Sequence, residues 1–134
     1  MTTRDIELVD MRPEIPSATV TPFMSSEEQF QNKTLRPVIK LQNDLLLAVF
    51  RNYIHKHKNV FYTLPLAKRM EYIDNAIQKD IKFRNSLKGM IIGHFTAAEY
   101  ENYIQNSSAL NKRMMNLVTD RIKSNIQLLE MACA

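Results

Sequence analysis

From Ser25 onward the apolar residues of this chain recur at helical spacing. Leu66, Met70, Ile73 and Ile77 stand four, three and four positions apart and form one stripe. Met115, Val118, Ile122, Ile126 and Leu129 form another, with Leu110, Met114 and Leu117 beside it. Between them Ile81, Phe83, Leu87, Met90 and Ile91 carry the pattern to Gly93, and Tyr100, Tyr103 and Ile104 resume it. Leu45 to Phe50 is an unbroken apolar run. At about 100° per residue it covers the whole circumference of a helix. Such a helix must be covered on every side, which predicts the centre of a bundle or an outer face against another subunit.

The breaks between these stretches are helix punctuation. Ser25-Ser26-Glu27-Glu28 and Thr96-Ala97-Ala98-Glu99 both read as capping boxes. Pro37 is expected to end a short first helix, with Thr34 capping the next; one kinked helix from Ser25 to about Lys58 is the alternative. Pro65 starts a helix that ends near Lys79 or runs on. Gly93 suits a left-handed helix end with Phe95 packing back. Asn106-Ser107-Ser108 reads as a break or a polar interruption, and the last helix is expected from about Ala109 to Met131. Only two glycines occur, so hairpin turns are scarce and strand alternation is almost absent. The reading is all-α: a compact bundle of four to six helices over 25–134, with an extended N-terminal arm over 1–24.

The arm differs from the body. Pro13, Pro16 and Pro22 prevent a continuous helix, and Ser17, Thr19 and Thr21 favour extended backbone. Ile6, Leu8, Met11, Ile15, Val20 and Phe23 are nevertheless apolar, more than a disordered tail carries. An arm laid on the body or on a neighbouring subunit accounts for both features; a free terminus is the alternative. The arm holds four acidic and two basic side chains, so the body is more basic than the overall charge of +4 suggests. A basic body can attract nucleic acid or an acidic protein surface.

Candidate chemistry is sparse. Cys133, the single cysteine, cannot form an internal disulfide, which fits a reducing compartment. Met1 to Asp10 has no secretory h-region and no run is long enough to span a membrane, so a cytoplasmic protein without membrane partners is expected. His55 and His57 are two apart and diverge on a helix; His94 lies near Glu99 and Glu101, where a helix-end role is the simpler reading. Asp80 with Arg84, and Asp120 with Lys123, are spaced for surface ion pairs. No glycine-rich phosphate loop or nucleophile elbow is present, so no catalytic residue, metal ligand or cofactor is assigned. The basic residues offer one binding candidate: Arg51, His55 and Lys58 on one helix face, with Lys82, Arg84 and Lys88 on another helix.

The stretch Arg36-Pro37-Val38-Ile39-Lys40-Leu41-Gln42-Asn43-Asp44-Leu45 resembles a family of small uncharacterised bacterial helical proteins sometimes labelled glyoxalase. Lys88-Gly89-Met90-Ile91-Ile92-Gly93 and Ala109-Leu110-Asn111-Lys112-Arg113-Met114-Met115 share the resemblance. The label implies a lyase, yet these stretches carry no chemical motif from which a functional residue follows. The expected function is therefore a non-catalytic interaction module that self-associates as a homo-oligomer or binds a partner protein. Its contacts would be Ile6, Leu8 and Ile15 from the arm and Leu46, Phe50 and Tyr53 from the body. Nucleic-acid binding through the basic faces is the alternative, and glyoxalase chemistry a third.

Overall fold

A computed structural model describes residues 1–130. Among these the regular elements are all helices, with no strand. The helices are α1 (Thr3–Met11), α2 (Ser26–Phe30), α3 (Arg36–Leu41), α4 (Asn43–Lys56), α5 (Leu66–Lys79), α6 (Ile81–Ile92), α7 (Ala97–Ile104) and α8 (Ser107–Ser124). Short 3₁₀ turns follow α4 (Val60–Thr63) and α8 (Ile126–Leu129).

The arm is helical at its start, which corrects the extended reading. Its three prolines all lie beyond Met11 and leave residues 3–11 free to coil. Thr2 caps α1, its hydroxyl accepting from the Asp5 amide at 3.1 Å. Residues 13–25 form no helix and lie along the body, where Asn32 donates to the Thr19 carbonyl and Gln29 to that of Met24.

Pro37 does not divide the next segment. α2 passes into α3 through a π turn (Gln31–Leu35), in which the Arg36 amide donates to Gln31 five residues back. The wider turn relieves the proline ring of its clash with the carbonyl four residues earlier. Thr34 is therefore not a cap; it is buried, with its hydroxyl committed elsewhere.

The apolar run on α4 is also re-read. Leu46, Leu47 and Phe50 are buried, but Leu45 is 48% exposed and Ala48 faces solvent. α4 is an ordinary amphipathic helix with one wetted side. The central element is α8, which packs against α3, α4, α5, α6, α7 and the π turn. It buries Leu110, Met114, Met115, Val118, Thr119 and Ile122. Helical spacing carries this burial across a chain that needs every neighbour to cover one long rod.

α5 ends at Lys79, one of the two ends expected, because Asp80 caps α6, accepting from the Phe83 amide at 3.2 Å. Asp80 forms no ion pair with Arg84 among the described residues, and Lys123 pairs with Asp74 rather than Asp120. α8 begins at Ser107, two residues early, and ends at Ser124. Gly93 keeps a right-handed conformation, while the left-handed positions are Lys58 and Asn59, after α4.

Candidate interaction surfaces and the arm latch

α1 docks on the turn between α6 and α7 through polar groups. Asp5 is the buried residue of this helix, 5% exposed, and accepts from Arg4 at 2.9 Å. Arg4 also donates to the carbonyls of Phe95 (3.0 Å) and Gly93 (2.9 Å). Arg12 donates to the His94 carbonyl at 2.8 Å and grips both oxygens of Glu99, at 2.8 and 2.6 Å. Three carbonyls of the turn after α6, those of Gly93, His94 and Phe95, are thus satisfied by two arginines of the arm. The fork matches the guanidinium plane to the carboxylate and makes the pair directional.

The Glu99 carboxylate accepts four hydrogen bonds from three residues. Besides Arg12, the Thr96 amide donates to it at 2.8 Å and the Thr34 hydroxyl at 2.7 Å. The Thr96 hydroxyl in turn accepts from the Glu99 amide, so the predicted capping box is complete. Burial alone pushes the Glu99 carboxyl up, but its bonds to Arg12, Thr96 and Thr34 outweigh burial and hold it below the usual carboxylate value. His94 is pushed down by burial and then by the cations of Arg12 and Arg4, and its buried Nδ1 has no partner among the described residues. The His94 backbone carbonyl joins the latch, and no hydrogen bond links its ring to Glu99 among the described residues.

A second constellation joins α4, α5 and α6. Phe50 is enclosed by Tyr53, Phe61, Tyr72 and Phe83 at ring-centre distances of 5.8–6.3 Å. His57 lies past the end of α4 and stacks on Tyr53 at 4.1 Å. The Tyr53 hydroxyl donates to Asp80 at 3.0 Å, and burial together with that carboxylate raises its pKa to about 12. Asp80 is lowered by the Phe83 amide and the Tyr53 hydroxyl. Tyr53, His57, Tyr72, Lys79 and Asp80 line one open recess. The tyrosines are neutral at physiological pH and Asp80 is occupied as a cap, so the arrangement serves packing.

The structure separates the residues expected to make contacts. Leu46 and Phe50 are core, and Tyr53 is half-buried in the aromatic cluster, so these three are withdrawn as a surface. Leu8 is half-buried, and Ile15 lines a groove with Ile39 and Leu117 on the body. Ile6 is exposed. Of the basic residues, Arg51, His55, Lys58 and Lys82 are exposed, while Arg84 and Lys88 are half-buried. Arg51 reaches the Leu128 carbonyl at 3.4 Å. Cys133 lies outside the described residues.

Sequence reasoning missed Arg4 and Arg12. Arg4 lies in the first turn of α1 and Arg12 just past its end in extended backbone, so no helical spacing joins them and no local signal announces their shared docking site. No three His, Cys, Asp or Glu side chains gather to hold a metal ion among the described residues, and no helix there is long and apolar enough to cross a membrane. No family model, curated protein or solved structure matches the chain.

Proposed function

We propose that the chain is a non-catalytic helical interaction module that self-associates through its N-terminal arm. One observation carries this reading: the uncovered apolar surface concentrates in the arm. Met1, Ile6, Val9, Met11, Val20 and Phe23 are all exposed, and Phe23 is 97% so. The seven other exposed large apolar residues are spread over more than a hundred positions. An arm that buries an aspartate and shows its isoleucine and phenylalanine to water is suited to being covered by a second copy. The polar latch holds that surface in place without consuming it.

Size-exclusion chromatography with light scattering tests the reading. The full chain should run as a dimer or larger species at high concentration, and Ile6→Glu with Phe23→Glu should return it to a monomer. A chain that stays monomeric at the highest soluble concentration contradicts it.

Nucleic-acid binding is a second reading, favoured by one feature. His57 and Lys79 line the same recess, so the basic end of α4 adjoins the junction that leads to Lys82. It predicts binding to mixed-sequence DNA or RNA that weakens steeply with salt. The absence of any binding at low salt would remove it.

A further inference from the structure

α1 shows solvent a face that is both acidic and apolar. Ile6, Glu7, Asp10 and Met11 are exposed, and they fall within about 140° of the helix, opposite the buried Asp5. Glu7 and Asp10 stand one turn apart, and neither pairs with a cation among the described residues. Docking by Arg4 and Arg12 leaves this face unused.

A groove of complementary character runs between α3 and α8 and encloses about 470 Å³. Arg36 and Lys40, one turn apart on α3, form one bank, and Arg121 on α8 belongs to the other. Ile39 and Leu117 add apolar lining. Asp120 is the one acid there, so three cations stand against one carboxylate. No carboxylate pairs with Arg36, Lys40 or Arg121 among the described residues. The chain's own arm borders the same groove at Ile15 and Ser17. Past Arg36 and Asp120 the groove continues into a second recess lined by Lys112 and Arg113.

We infer that α1 of a second copy lies in this groove, an inference that rests on self-association through the arm. Glu7 and Asp10 meet Arg36 and Lys40, each pair one turn apart, and Ile6 and Met11 cover Ile39 and Leu117. The entering helix then lies beside the host's own arm, which borders the groove at Ile15. The contact is reciprocal: each copy lends its α1 and offers its groove. Opposite charge on the two faces selects a second copy over an uncharged apolar partner.

Charge reversal tests the pairing. Glu7→Lys with Asp10→Lys reverses the arm face, and Lys40→Glu with Arg121→Glu reverses the groove. None of the four residues belongs to the core or the latch. In sedimentation equilibrium of the full chain, each variant should dimerise at least about tenfold more weakly than the unaltered chain, because like charges then meet in both contacts. An equimolar mixture should recover to within about threefold of the unaltered chain, because reversed arm meets reversed groove and the two unaltered faces also meet. A helical far-UV spectrum establishes that each variant is folded. A groove variant that associates undiminished, or a mixture no stronger than its parts, overturns the inference. If Ile6→Glu with Phe23→Glu is still monomeric in that case, self-association through the arm stands without the groove. An unaltered chain that stays monomeric overturns both.

Discussion

Arg12→Ala is the sharpest perturbation of the arm. It deletes two bonds to Glu99 and one to the His94 carbonyl. Removing one partner of a buried ion pair costs about 3–5 kcal/mol. Glu99 keeps the Thr96 amide and the Thr34 hydroxyl, so its charge is not left bare and the lower end applies, about 3 kcal/mol. The loss should be local, since α1 is peripheral and can lift away while α8 keeps its partners. Native-state hydrogen exchange separates the two levels. Amides of α1 should exchange about a hundredfold faster, at roughly 1.4 kcal/mol per tenfold. Those of Val118 and Ile122 should hold within about twofold. An α1 that keeps its protection, or an α8 that loses as much as α1, would refute the latch.

The latch should also respond to pH. His94 has its pKa lowered by burial and the two arginines, so its contribution is complete above its ordinary 6.5 and declines as the pH falls through the lowered value. Glu99 is held below its ordinary 4.5, so its share is present above that value and is lost at still lower pH. Protection of α1 should therefore weaken in two stages on acidification, and His94→Gln should remove the first; a pH-independent α1 contradicts this. Phe50→Ala should cost about 3–5 kcal/mol in urea denaturation, and Leu45→Ala, on the wetted side of α4, within about 1 kcal/mol. Equal costs would mean α4 is turned differently. Lys58→Gly should stabilise by about 0.5–1 kcal/mol, seen as a Tm higher by a few degrees, because Lys58 occupies the left-handed region at φ 62°.

The body was legible because its periodicity is long and its punctuation chemical. The stripe from Met115 to Ile122 is buried as spaced, and Thr96 and Glu99 form the cap their spacing implied. Three features were not legible. A run of six apolar residues on α4 does not say that only three are buried; that depends on α8 becoming the spine. Pro37 reads as a breaker unless a π turn absorbs it, and no local residue announces one. Arg4, Arg12 and Thr34 read as a polar arm and a helix cap, because their acceptors lie 65–91 positions away. The candidate contacts divided for the same reason: Ile6 stayed outside, whereas Leu46 and Phe50 were taken up by the core.

The central claim is that the arm, docked by polar contacts, presents the surface through which copies meet. Hydrogen exchange of the full chain at low and at high concentration tests it most directly. Added protection at high concentration should be confined to residues 1–24 and whatever they cover. Protection that rises instead along the basic faces of α4 and α6, or nowhere, would contradict the account.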